Sequence, residues 1–401
     1  MIGLTTPEKP YFDETHYVPA ARQMLEAGPH IPLLNPMHPP LAKQLMALSI
    51  KTFGDGPLGW RYPSVLFGAL SVVAIYLCGF ALFAAQGPAI AAALLAFLNQ
   101  MLFVQSRIGM LDIDSLALSL LGIAAFMHGF RQRRPHLSFA LAGLAFGLSI
   151  ACKWSGLFPL ATAIVIVGAI RLLRGWRTTF AGANKDDWYR PDLWSDFRYY
   201  HATACFVLIP AIVYLATFVP LYGLSMTDIV EAQRKIFSDN TTTSIGDHPY
   251  MSGWASWPLL VRPVWYLFEK AGEDRFQAII FLGNPLVLWP ALAAIGFCLR
   301  DWIVKRRAEA FLILAFYLGP WLAWAILTRK ISFLYYYLPS ATIASLALVY
   351  VLTRGNSPRW LLWGFVAVAA LGFIVMLPIT VAPLETSLGT YQHLMIFKSW
   401  I

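Results

Sequence analysis

Ten runs of apolar residues, at about 61–84, 88–104, 113–130, 137–152, 155–173, 202–220, 284–299, 309–328, 333–352 and 360–381, constrain this chain more than any other feature. Runs of this kind enter lipid as helices, because a helix satisfies its own backbone hydrogen bonds where no water can. With apolar residues at 58% and charged residues at 13%, too little polar surface is left to coat a soluble domain of this length. The expected fold class is an all-α polytopic membrane protein with about ten transmembrane helices, several of them short.

The formal charge of +9 raises the question of nucleic acid. The basic residues, however, sit in short clusters between apolar runs and form no continuous stripe, so no nucleic-acid partner is expected and topology explains the charge better. The four cysteines, Cys78, Cys152, Cys205 and Cys298, lie in or at the ends of apolar segments without metal spacing, which points to neither a disulfide framework nor a zinc site. No cleavable signal peptide is visible, since the first apolar run begins only after about sixty residues.

Basic residues in short loops mark the cytoplasmic side. Arg131, Arg133 and Arg134 fill one loop, and Arg300, Lys305, Arg306 and Arg307 another. Alternating the spans puts both on one side, with the ordered segment 174–200 and with Arg354 and Arg359. The other side receives residues 1–60, where an amphipathic stretch from Leu41 to Phe53 carries Lys43, Gln44 and Lys51 and reads as an interfacial helix. It also receives the turns around Arg107, Lys153 and Arg329 with Lys330, the long segment 221–283, and the C-terminal tail.

Cations on that disfavoured side have a plain reading as side chains snorkelling to the interface. Here several meet carboxylates: Arg61, Arg107 and Lys153 share the side with Asp13, Glu14, Asp112 and Asp114. Asp13 and Glu14 are adjacent acids in the stretch FDETHY, Phe12 to Tyr17. Such a site suits transfer from a lipid phosphate, where permanent positive charge stabilises the phosphate that leaves. An acceptor hydroxyl needs a carboxylate base within hydrogen-bond reach. Transfer of a sugar from a polyprenyl phosphate requires both in one cavity.

The ordered set FDETHY, HPPLAK (His38 to Lys43), RYPSVLFGAL (Arg61 to Leu70), QSRIGMLD (Gln105 to Asp112) and CKWSGLF (Cys152 to Phe158) resembles the protein O-mannosyltransferases. HPYMSGWASWPLLVRPVWY (His248 to Tyr266), LGNP (Leu282 to Pro285) and FLYYYLP (Phe333 to Pro339) extend the resemblance over nearly the whole chain. Each motif alone is weak, and the ordered set is specific. The resemblance implies the C-type glycosyltransferase (GT-C) fold and an inverting transfer of mannose from polyprenyl-phosphate mannose to Ser or Thr hydroxyls of proteins. It implies no metal and no cofactor, the lipid-linked sugar being a substrate.

Carried over residue by residue, the resemblance makes Asp13 the general base and gives Glu14 a part in holding the acceptor. Arg61 orients the acidic pair or the donor, Lys153 binds the donor phosphate, and Arg107 shares that role. His38, Lys43, Asp112, His248 and Trp254 are further candidates. Blander readings stand beside these. Asp13 also suits a helix cap, His38 a turn, and His248 a plain loop. Asp112 and Asp114 suit a helix N-terminus, and Trp254, Trp257 and Trp265 an interfacial belt.

Three departures from the family pattern matter. The pattern has a transmembrane helix before the acidic pair, and this sequence begins too close to Asp13 to contain it, so about eleven spans are expected with it restored. Segment 221–283 is too short for the extra luminal domain of eukaryotic members, which points to a prokaryotic enzyme of the plasma membrane, active on the non-cytoplasmic face. Tyr336 stands where many relatives have His. The chain divides into 1–60, a catalytic transmembrane half 61–220, a non-cytoplasmic loop 221–283 and a C-terminal four-helix portion 284–401. A dimer accords with the family, although no self-complementary patch is legible. Two other readings are a polyprenyl-phosphate sugar transferase acting on lipid A or another glycan, and a secondary transporter; the latter usually places its charges at mid-membrane and betrays repeats, and neither is seen here.

Overall fold

The computed structural model describes residues 3–26, 34–176, 194, 196–242, 248–327, 331–355 and 357–400. Two short helices, α1 (Glu14–Glu26) and α2 (Leu41–Phe53), precede the apolar bundle. The bundle begins with α3 (Pro57–Phe83), α4 (Gln86–Leu98), α5 (Met101–Gln105), α6 (Leu111–Phe130), α7 (His136–Cys152) and α8 (Leu157–Trp176). Next come α9 (Tyr199–Thr203), α10 (Ile209–Ala216) and α11 (Val219–Tyr222), three pieces of one apolar span. α12 (Met226–Thr242) and a hairpin of β1 (Val264–Lys270) and β2 (Phe276–Phe281) follow. α13 (Pro285–Lys305), α14 (Ala308–Ile326), α15 (Leu338–Leu352), α16 (Arg359–Thr380) and the short α17 (Leu388–Leu394) complete the chain.

Among the described residues, eight helical segments are long and apolar enough to cross a membrane, and α4 and α7 are shorter apolar helices. Every apolar run thus lies on helix, as an integral membrane protein requires. The run 88–104, like 202–220, is broken into more than one helix. Gln100 takes φ +70°, and its side-chain amide donates to Thr380 Oγ1 at 3.0 Å. A buried amide that finds its partner on another helix wins over continuing its own.

Two helices form the centre. The apolar windows of α6 and of Leu334–Leu352 are 83% and 89% buried, against 22% for α16, whose outer face is left to lipid. The inner helices carry the small polar residues: Ser115 and Ser119 both meet Ser149 Oγ of α7, at 2.9 and 2.7 Å. Such hydroxyls hold helices together where the hydrophobic effect cannot. The LGNP motif acts as a joint. Asn284 caps α13 by accepting from Leu286 N at 3.0 Å, and its amide donates to Leu98 O and Ala369 O, both at 3.0 Å.

Two expectations change. Segment 221–283, read as a loop, holds α12 and the antiparallel hairpin, in register from Val264↔Phe281 to Lys270↔Phe276 with a bulge after Trp265. The hairpin is extended by a bridge from Phe276 to Thr386 in the tail. In α2, Lys43 does not belong to a polar outer face, since its side chain is fully buried. α2 is also too short to span lipid, at 13 residues.

The ends of α6 separate the charges as the loops predicted. Asp112 lies in its first turn and Arg131 at its C-cap, about 30 Å apart by helical rise. The four cysteines are buried and free.

Candidate active site

The first residues of the chain are pinned down by one cation. Arg61, near the start of α3, donates to Leu4 O and Pro7 O at 2.8 Å and to Lys9 O at 3.3 Å. It also grips Glu14 twice, from Nε to Oε1 at 2.8 Å and from Nη2 to Oε2 at 2.9 Å, with both side chains fully buried. Glu14 Oε1 accepts further from Gly109 N at 2.8 Å, and Oε2 from Tyr11 N at 3.3 Å. A side chain at Gly109 would meet Met46 Cε and Trp60 O at 3.1 Å, so this close backbone approach suits glycine. A buried carboxylate is stable only when its oxygens are occupied in this way.

Two expectations are corrected by that geometry. Arg61 has no surface to offer a donor phosphate, and Glu14 has none for an acceptor. Of the two readings of Arg61, the geometry fits the one in which it orients the acidic pair, by holding Glu14 beside Asp13. Phe12, held at φ +49°, turns the chain so that Asp13 faces another way. Asp13 is half-buried. Its pKa is pushed up to about 6, chiefly by desolvation; Lys153 opposes the shift and Asp112 adds to it. The Tyr17 hydroxyl donates to the carboxylate and also opposes the shift.

Lys153 follows α7, in an extended residue that no helix could accommodate. Its ammonium reaches Asp112 Oδ1 and Oδ2, both at 2.8 Å. It also lies 5.4 and 5.5 Å from the ring centres of Tyr335 and Tyr336. Asp112 is therefore the lysine's counter-ion and no cap of α6, whose N-cap residue is Met110. Asp114, deeper in the same helix, is buried, with Oδ1 lacking a hydrogen bond.

An aromatic wall closes the site. Phe12 lies 4.4 Å from the Tyr266 ring and 6.3 Å from that of Tyr335. Burial, and then the negative charges of Asp112 and Asp13, hold the Tyr266 hydroxyl protonated well past its ordinary range. It donates to Gln105 Oε1 at 2.8 Å. Behind Tyr336, Trp324 stacks at 4.2 Å and 5°. Trp257 is 1% exposed and packs against both rings at 6.2 Å, which makes it core and not an interfacial belt.

The remaining candidates are spread around this centre. Arg107 lies over the Phe103 ring, 5.1 Å away, with Nη1 3.5 Å from Thr380 O at the end of α16. His38 is 6.1 Å from the Tyr17 ring. Lys43 donates to Asn35 O at 2.7 Å and His38 O at 3.0 Å. It thereby ties the loop before α2, and burial pulls its pKa down to about 7. His248 accepts from Tyr250 N at 3.2 Å and lies 5.0 Å from Phe333, so its ring shapes a turn. Trp254 packs on Trp321 at 5.6 Å and its carbonyl accepts from the Trp321 indole at 2.9 Å. Arg329 and Lys330 lie outside the described residues. Among the described residues, no three His, Cys, Asp or Glu side chains gather as a metal ion would require.

Sequence reasoning missed Tyr17, Gln105, Gly109 and the Tyr266–Tyr335 wall. Tyr17 had a signal, since four residues after Asp13 places it on the same helical face. Tyr266 and Tyr335 lay inside quoted motifs, but nothing local joined them, because strand β1 and the turn before α15 meet Phe12 only in the folded chain.

Residues 1–222 match the family described as dolichyl-phosphate-mannose-protein mannosyltransferase, and residues 225–400 the C-terminal four-transmembrane region of protein-O-mannosyltransferase. A polyprenol-phosphate-mannose--protein mannosyltransferase of Corynebacterium glutamicum is 28% identical, covering 100% of this chain and 90% of its own. The protein of the same name from Mycolicibacterium smegmatis is 26% identical over 81% of this chain and 73% of its own. In fold, the chain is similar to the S. cerevisiae protein O-mannosyltransferase Pmt1-Pmt2 complex bound to the sugar donor, with a TM-score of 0.77 and 14% identity over 100% of this chain and 90% of that one. It is also similar to ArnT from Cupriavidus metallidurans in the apo state, with a TM-score of 0.62 and 16% identity over 94% and 62% of the two chains. These neighbours are GT-C glycosyltransferases. With family matches over both halves and that fold, the chain belongs to the dolichyl-phosphate-mannose-protein mannosyltransferase family, prokaryotic in type.

Proposed function

We propose that the enzyme transfers mannose from polyprenyl-phosphate mannose to Ser or Thr hydroxyls of proteins, inverting the sugar carbon, at the non-cytoplasmic membrane face. The names of its relatives support the donor and the protein acceptor. The single observation that carries the mechanism is the division of labour in the acidic pair: Glu14 is fully buried and saturated by Arg61 and Gly109, while Asp13 is only half-buried, beside Lys153.

Asp13 takes the proton of the acceptor hydroxyl as its oxygen attacks the anomeric carbon. The bond from that carbon to the phosphate oxygen breaks, and its electron pair leaves with the polyprenyl phosphate. A base with a pKa of about 6 is ionised at neutral pH and still basic enough to assist. Lys153 exchanges part of its hold on Asp112 for the phosphate, whose charge grows as the bond breaks. Tyr335 and Tyr336 keep that cation desolvated, and Arg107 supplies charge at the rim towards α16. The basic residues at the far end of α6 support a cytoplasmic side opposite to the site.

The test is transfer by the purified protein in lipid from radiolabelled polyprenyl-phosphate mannose to Ser/Thr-rich peptides. Label on peptide, released by alkaline elimination, is the expected result. Label passing to a glycolipid while peptide stays unlabelled would replace the protein acceptor with a lipid one.

A further inference from the structure

At the end of the bundle away from Asp13, the turns α3–α4 and α13–α14 and the ends of α6 and α15 border an open pocket of about 810 Å³. Arg131, Lys305, Arg307 and Arg354 line it, with two carboxylates, Asp301 and Glu309. Glu309 is paired with Arg131. Asp301 is 1% exposed, and its Oδ2 accepts from Arg354 Nη2 at 2.7 Å and Tyr350 OH at 2.8 Å. Asp301 Oδ1 has no hydrogen bond, with Arg300 and Lys305 nitrogens at 3.7 and 3.8 Å.

Two helices also begin at this cavity. α4 and α14 start behind Ala85 and Arg307, neither of which caps through its side chain. Their first N–H groups favour an anion. Four helices end here as well, and part of the basic charge offsets their carbonyls. Arg300 and Arg306 beside the cavity keep the balance positive.

We propose that this pocket binds the headgroup of an anionic phospholipid, with the phosphodiester among Lys305, Arg307 and Arg354. Phe80 and Leu77, exposed on α3 within two turns of the lining residues Leu82 and Phe83, offer its acyl chains an apolar surface. A pocket at helix ends, lined by Arg131, Lys305, Arg307 and Arg354 around a buried Asp301 that holds two of them in place, fits a phosphodiester. A bare inorganic phosphate would satisfy the cations and bring no acyl chains.

The test is native mass spectrometry of the whole protein with phosphatidylglycerol or phosphatidylcholine of matched acyl chains. Phosphatidylglycerol should be retained at roughly tenfold lower lipid than phosphatidylcholine. Lys305→Gln with Arg307→Gln should remove that preference, and Lys305→Arg alone should keep it. Transfer activity in phosphatidylcholine should be unchanged, since the site lies about 30 Å away along α6. Equal retention of the two lipids by the unaltered protein overturns the proposal and needs no variant to fold. Displacement of the bound lipid by millimolar inorganic phosphate would overturn the lipid assignment in favour of a plain anion site.

Discussion

Arg61 and Glu14 form a two-point ion pair, at 2.8 and 2.9 Å, with neither side chain exposed, and through it the first residues of the chain are fastened to α3. Glu14→Gln or Arg61→Met leaves one buried partner without its opposite. Each should cost about 3–5 kcal/mol of stability. The measurement is thermal unfolding in detergent. Removing both charges together, as Glu14→Gln with Arg61→Met, should cost less than the sum, because no charge is stranded. A single variant that melts like the parent would show the pair to be dispensable.

Lys153 sits between Asp112 and the tyrosine wall, so its loss should be felt by the donor before the acceptor. Lys153→Ala should raise KM for the lipid-linked sugar by about tenfold or more, the value of a hydrogen bond to a charged group. Lys153→Arg should recover part of it. KM for the peptide, measured at saturating donor, should move little. An unchanged donor KM would remove Lys153 from the phosphate.

Tyr17 donates to Asp13 and stabilises its ionised form. Tyr17→Phe deletes that donor, so the base should take up its proton at higher pH. The acid limb of kcat/KM should move upward by about 0.5–1 pH unit with little change at pH 8. A profile that does not move would place the hydroxyl elsewhere during turnover.

Much of this arrangement was legible before any folding. Lipid leaves a chain few choices, so the apolar runs became helices, and the charges at their ends sorted to the two ends of α6 as the loops implied. What stayed hidden depended on direction and on distant partners. Asp13 and Glu14 are adjacent, and no local pattern says which one turns inward; Phe12 at positive φ and Gly109, far along the chain, decide it. Lys153 looked free for phosphate because its counter-ion, Asp112, lies 41 residues away. The hairpin Val264–Phe281 stayed hidden because its strands do not alternate: buried residues are adjacent at Tyr266 and Leu267 in β1 and run unbroken from Ala278 to Phe281 in β2, which reads much like any apolar stretch.

The most direct test is the pH dependence of peptide mannosylation by the unaltered protein and by Asp13→Asn. For the unaltered protein, kcat/KM should be flat above about pH 7 and fall tenfold per unit below about 6, since protonation of Asp13 removes the base. Asp13→Asn should be slower at neutral pH by about two to four orders of magnitude and should lose that acid limb, while melting at the parent's temperature. Near-normal turnover in Asp13→Asn, or an acid limb that survives the substitution, would show that Asp13 is not the base.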